Sequence, residues 1–338
     1  MIRKFAVALA AVVALNATPF ATTRSAEAQT LEQIQSVAAW AQQFQRIVSA
    51  FVVPLQSLPN PPGPGMSRAE RRAWAASTRE WAASAQASFN AARADLDRLP
   101  PSPPAQDAMT ERLRSAIEAA LPRLRESLDA GDRITSAYLT LADAVERNQM
   151  DRVNSIRVTA IEAALVSTRL FQDTNAAQAA AATPGNPQGP LAGAYGHSYG
   201  ALYAILTYRL QLMRGETPDR AGTAQSISIA ARQMREAVAQ GRADLALLDS
   251  QLNDPAITAS IDSALLPRLR ALSRTFPQSF DREEQIAGDF ESVARLLRGP
   301  DGGEATEMQI DVHLDAFSER DARRMDDIAQ RNAIMTAQ

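Results

Sequence analysis

Between residues 78 and 99 the small and apolar side chains fall at Thr78, Trp81, Ala85, Phe89, Ala92, Leu96 and Leu99. Steps of three and four keep them on one face of a helix, where a strand would need alternation by two. The same face recurs 149 positions on, at Ile227, Ala230, Met234, Val238, Gly241, Leu245 and Leu248. The string Arg-Ala-Asp-Leu also stands at both places, from Arg93 and from Arg242. A chain that repeats a helical seam so far apart has few options besides packing helices twice.

Other segments carry the same periodicity. The first stripe runs Ile34, Ala38, Ala41, Phe44, Val48, Phe51, Leu55, and the next helix opens on Ser67 and Glu70, a capping-box pair. Ile134, Tyr138, Leu141 and Val145 form a seam matched by Ile286, Phe290, Val293 and Leu297. Leu-Pro-Arg-Leu-Arg occurs from Leu121 and from Leu266. A proline inside a helix costs about 3 kcal/mol, so Pro122 and Pro267 in the same string predict one inherited kink or break, present twice. Two further helices are expected near 151–180 and 304–336. In the latter, "IDVHLDAF" also suits a strand, but Ile310, Leu314 and Phe317 fit a helical stripe.

Pro and Gly gather in "LPNPPGPG", "LPPSPP", "ATPGNPQGP" and "RGPDGG", where helix is disfavoured. The expected fold is all-α, a tandem duplication of an up-and-down helical bundle with about five helices per copy. The first repeat spans 29–181, a Pro/Gly linker 182–190, and the second repeat 191–338. Short connections favour antiparallel neighbours within each copy.

Ahead of the first repeat, Arg3 and Lys4 precede the apolar run Phe5–Leu15, and Ala26-Glu27-Ala28 offers a small-residue cleavage site. Eleven apolar residues are too few for a span of roughly 20, so 1–28 reads as a secretory signal peptide. Its removal takes the formal charge from −3 to −5 and takes away Lys4, the one lysine. That leaves no basic footprint for nucleic acid and no lysine for a phosphate-binding loop. No later segment suits a membrane span. The chain has no cysteine, hence no disulfide, thiolate metal site or lipid anchor of the thioether kind. The expected location is the periplasm, or the exterior of a host with a single membrane.

Gly196–Gly200, "GHSYG", spells the pattern of a serine-hydrolase elbow. That motif needs a strand entering a sharp turn and a helix leaving it, and "NPQGPLAGAY" before it resembles no strand. His313, with Asp311 or Asp315 beside it, is the imidazole available to Ser198. Helix packing accounts for more of the residues: Gly193, Gly196, Gly200 and Ala204 share a face on which another helix can approach closely. Tyr195, Tyr199 and Tyr203 form a second stripe beside it.

Neither histidine has a Glu three residues before it, as helical di-iron sites require. No metal or other cofactor is expected, and no catalytic residue is assigned. The candidate ligand-binding residues are Tyr195, His197, Tyr199 and Tyr203, with Trp74 and Trp81 of the first copy. Trp74 and Trp81 stand where the second copy has Thr223 and Ala230. Mixed-sign runs such as "RAERRAW" and "ERDARRMDD" are expected to face solvent. The function expected is binding or scaffolding in the cell envelope, toward a protein or a small molecule. A Tyr-lined ligand pocket is the second reading, and a Ser198 hydrolase the third.

Overall fold

A computed structural model describes residues 31–336 except 57–58, 60–64, 105–107, 150–151, 183–184, 260, 262, 264 and 300–302. The expected leader, 1–28, lies outside the described residues, as do the side chains of Ile34, Ala38 and Ala41. Among the described residues there is helix and no strand. The helices are α1 (Leu31–Gln56), α2 (Arg68–Asp97), α3 (Ala108–Glu146), α4 (Val153–Ala181) and α5 (Gln188–Met213). They continue with α6 (Arg220–Asn253), the single turn α7 (Pro255–Thr258), α8 (Leu265–Ser273), α9 (Phe276–Arg298) and α10 (Glu304–Thr336).

Local chemistry sets several ends. Ser67 caps α2 with both halves of the box present, its hydroxyl on the Glu70 amide and the Glu70 carboxylate on its own amide. That leaves two fewer orphan donors in the first turn and holds the Glu70 carboxyl below its ordinary range. Asp219 accepts from the Gly222 amide at the start of α6. Asn148, at φ 60°, closes α3 in the left-handed conformation that Asn tolerates.

Three expectations are corrected here. Residues 31–181 hold four helices among the described residues, because α3 continues through Pro122. Pro122 is exposed there, with the helix running on across it. Pro267 instead lies in the first turn of the short α8, where the missing N–H leaves no intrahelical bond unmade, so the two prolines are not one break seen twice. The junction is also shorter than 182–190, since α5 starts at Gln188 and takes Pro190 into its first turn.

The seams point inward as their spacing requires. Thr78, Trp81, Ala85, Phe89, Ala92 and Leu96 are buried on α2, and Ile227 through Leu248 on α6. Ile134, Tyr138, Leu141, Val145 and their partners on α9 are all within 2 % of full burial. "IDVHLDAF" is helical, with Ile310, Leu314 and Phe317 buried. One apolar cluster extends from Phe44 and Phe51 of α1 through Phe171 of α4 to Tyr199 of α5 and Phe317 of α10. A smaller one gathers Tyr195, Val238, Leu248, Phe276, Phe280 and Ile328.

Neighbouring helices run antiparallel. Arg79 meets Asp143 and Glu146 while Arg93 meets Asp129 and Asp132, so α2 and α3 run oppositely. Arg235 with Glu291 and Arg242 with Asp281 give the same sense to α6 and α9. The glycine face of α5 packs on α4. A Cβ on Gly196 would lie 3.3 Å from both the Ala176 amide nitrogen and the Gln172 carbonyl oxygen, so backbone meets backbone there. On Gly189 it would lie 2.3 Å from the Ala182 Cβ.

Trp81 explains one asymmetry between the halves. Its indole N–H donates to the Pro54 carbonyl at 2.8 Å, and its ring lies 5.2 Å from that of Tyr138. Pro54 is the third-last residue of α1, within the final turn whose carbonyls lack the regular intrahelical donors. Trp81→Phe keeps an aromatic ring but loses the donor and part of the buried indole, so it should cost at least about 1–3 kcal/mol. Urea unfolding with an unchanged m-value checks this.

Candidate functional site

The polar chemistry of the chain converges where α5, α9 and α10 meet. On α10 the apolar stripe Ile310, Leu314, Phe317 continues in the same four-and-three rhythm through Asp321, Arg324, Ile328 and Arg331. On α9 the seam from Ile286 runs backward through Glu283, Ser279 and Phe276. Charges therefore occupy core positions of two facing helices. Asp321, Arg324 and Glu283 are each 0 % exposed. The expectation that "ERDARRMDD" faces solvent is corrected on this point: Asp321, Arg324 and Asp327 turn inward, while Glu319, Arg323 and Asp326 stay exposed. "RAERRAW" is mostly exposed, as its mixed signs suggest.

Arg324 is the hub. Its Nε donates to Glu283 Oε1 at 2.7 Å and its Nη2 to Glu283 Oε2, a fork on one carboxylate. Its Nη1 donates to Asp321 Oδ1 at 2.7 Å, and the Tyr199 hydroxyl donates to the same oxygen at 2.9 Å. The guanidinium carbon sits 4.7 Å from the Tyr195 ring centre and 5.6 Å from that of Phe317, within cation–π range. Charge-assisted, two-pronged contacts of this kind are the strong ones. They must be, because removing such ions from water costs several kcal/mol each.

Further along, Arg282 grips Asp327 with both terminal nitrogens, and Ser279 donates to Asp327 Oδ2 at 2.6 Å. Arg331 donates to Ser279 Oγ, and to Thr275 Oγ1 at 3.1 Å. Its guanidinium also lies 4.9 Å over Phe276. Near the other end of α10, Arg209 reaches Asp311 at 2.8 Å and the Glu307 carboxylate at 3.6 Å, while Tyr208 donates to Glu307. The last helix is thus tied to α5 and α9 by polar cross-links over much of its length.

The surroundings shift the titrating groups. Burial is the main cause that raises the carboxyls of Glu283 and Asp321, and Arg324 opposes it in both. Burial likewise raises the phenols of Tyr195 and Tyr199, with the Asp321 charge adding to the second. Tyr208 is pushed up to about 12, first by burial and then by Glu307. The pull of both carboxylates outweighs desolvation at Arg324 and holds its guanidinium well above its usual value.

The sequence candidates separate. Tyr195 and Tyr199 enter this cluster. Tyr203 is half-buried beneath Arg169, 5.6 Å from its ring centre. His197 is half-buried, and burial lowers its imidazole against the pull of Glu236. Trp81 belongs to the large apolar cluster with Tyr138 as its ring neighbour, and Trp74 packs against that cluster. Ser198 lies in the middle of α5 at 0 % exposure, its hydroxyl donating to the Tyr195 carbonyl at 2.7 Å. Neither strand nor turn accompanies it. His313 pairs with Asp289 at 3.1 Å, and Arg320 holds the other oxygen of that carboxylate. Among the described residues, no group of three or more His, Asp or Glu is placed to hold a metal ion. No helix among them is long and apolar enough to cross a membrane.

Arg324, Asp321, Glu283 and Arg331 were not among the sequence candidates. Their signal was present, since following either seam past its last apolar residue lands on them. Compared with protein-family models, with curated proteins and with solved structures, the chain matches none.

Proposed function

We propose that this chain is an exported helical-bundle protein that acts by binding in the cell envelope, as a scaffold for a protein partner and without catalysis. The observation that carries this reading is the direction of its reactive side chains. Ser198, Tyr199, Glu283, Asp321 and Arg324 are turned inward and engaged by one another or by backbone. What the molecule offers outward is long helical surface. On α10 that surface includes Met308 and Val312, 58 % and 66 % exposed and one turn apart.

The proposal extends to origin: residues 29–181 and 191–338 descend from one bundle. Its support lies in matched ion pairs. Arg93 on α2 reaches Asp129 and Asp132 on α3; Arg242 on α6 reaches Asp281 and Glu284 on α9. The arginines are 149 positions apart and both acid pairs 152, as are the seams from Ile134 and Ile286. Ser127 and Ser279, fully buried, keep the second spacing too. The Leu-Pro-Arg-Leu-Arg strings lie seven residues off this register, about two helical turns, so the origin rests on the seams and not on the prolines.

The test uses the full-length chain in a host cell, with a photo-crosslinking residue at Val312. Expected are a mature protein beginning at Gln29, recovered in the envelope fraction, and a protein adduct from position 312. An intact leader on cytoplasmic protein refutes the export, and absence of any adduct from Val312 or Met308 refutes the scaffold. A small-ligand reading has one observation in its favour, an open cleft of about 440 Å³ between α3 and α4 lined by Asp132, Arg133, Ser136, Thr140, Ser155 and Thr159. A thermal-shift screen with polar metabolites, repeated on Ser136→Leu, distinguishes it.

A further inference from the structure

Around Arg324 the charges do not balance. One fully buried guanidinium faces two fully buried carboxylates. The adjoining set of Arg282, Arg331 and Asp327 carries the compensating cation, but Arg331 stands seven residues beyond Arg324 and ten beyond Asp321 on α10, about 15 Å from the latter by helical rise. The two carboxylates are also bound differently. Glu283 has each oxygen engaged by Arg324. Asp321 receives Arg324 and Tyr199 on Oδ1 alone, and its Oδ2 is buried without a hydrogen-bond partner. A buried carboxylate oxygen with neither solvent nor donor is expensive, and protonation removes the charge.

We propose that the folded protein holds a proton on Asp321, as a neutral carboxylic acid, making the α5–α9–α10 junction a proton-dependent latch for the last helix. Glu283 and Arg324 then form a balanced pair, and Asp321 Oδ1 remains the acceptor for Arg324 and Tyr199. The groups facing this site are Arg324 on α10, Glu283 with Arg282 behind it on α9, and Tyr195 and Tyr199 on α5, with Arg331 of α10 beside Tyr195. The direction of the Asp321 shift, upward through burial, agrees with the geometry. Its sign fixes the consequence. A carboxyl raised in the folded state contributes stability that is fully present below the unfolded value of about 4 and is lost as pH rises through the folded value. The latch therefore tightens in acid and loosens toward alkaline pH.

Asp321→Asn mimics the protonated form. Between about pH 5 and pH 8 the Tm of the wild-type full chain should fall by several degrees more than that of D321N. Titrations elsewhere in the chain are common to both proteins and cancel in the difference. Equal slopes overturn the proposal. Isotope-edited infrared spectroscopy of wild-type protein with labelled Asp supplies a second readout at neutral pH. A protonated-carboxyl band is expected, and its absence refutes the assignment even if D321N fails to fold.

Discussion

Arg324→Met should destabilise the protein by about 3–5 kcal/mol, the range found when one partner of a buried ion pair is removed. Arg324 gives three hydrogen bonds to two carboxylates that have no exposure. Without it Glu283 and Asp321 keep their burial and lose their cation, and the Tyr195 face loses the guanidinium stacked on it. Asp321 retains only the Tyr199 hydroxyl. Chemical denaturation of wild type and variant, at equal m-value, measures the difference. Removing the whole set should behave otherwise. In the triple variant R324M/E283M/D321L no buried charge is left without a partner, and exchanges of that kind are often neutral or stabilising. A triple variant as unstable as the single one would mean that Arg324 matters for its packing and not for its charge.

Gly241→Ala should cost about 1–3 kcal/mol, although glycine is the poorer helix former by about 1 kcal/mol. An added Cβ would lie 2.4 Å from Cε1 and 2.6 Å from Cζ of Phe280. That ring is fully buried, 6.1 Å from the ring of Phe276, and has no solvent to retreat into. In the register of the matched ion pairs, the first half carries Ala92 and Leu128 where the second carries Gly241 and Phe280. The larger seam residue goes with the smaller partner, as a core of fixed volume requires. The double variant G241A/F280L writes the first half's pair into the second half. It should recover most of the loss, with a coupling of about 0.5–3 kcal/mol in a double-mutant cycle. Additive losses would count against both the steric argument and the common register.

Much of the fold was legible in the residues. The steps of three and four at Thr78–Leu99 and Ile227–Leu248 named the buried faces of α2 and α6, because a helix must hide such a face somewhere. The glycine row of α5 was legible as a place of close approach, and α4 occupies it. Helix ends were legible where a cap was written out, as at Ser67 and Glu70. Pro122 misled, since a proline on the exposed side of a long helix can be carried by the packing of the opposite side. The candidate cluster was half legible. Tyr195 and Tyr199 stood out by their spacing, whereas Asp321 and Arg324 looked like solvated charges in a run of mixed sign.

The difference has a physical origin. Periodicity is local, so the sequence by itself determined that the chain would form amphipathic helices, which faces they would bury, and where several begin. Whether a charge on such a face meets water or a counter-ion is decided elsewhere in the chain. Arg324 can be buried because Glu283 stands 41 positions away, and Asp321 because Tyr199 stands 122 positions away. Only the tertiary structure brings them within hydrogen-bond reach. The desolvation cost of the Arg324 cation is met chiefly by Glu283, a partner that no stretch of neighbouring residues could reveal.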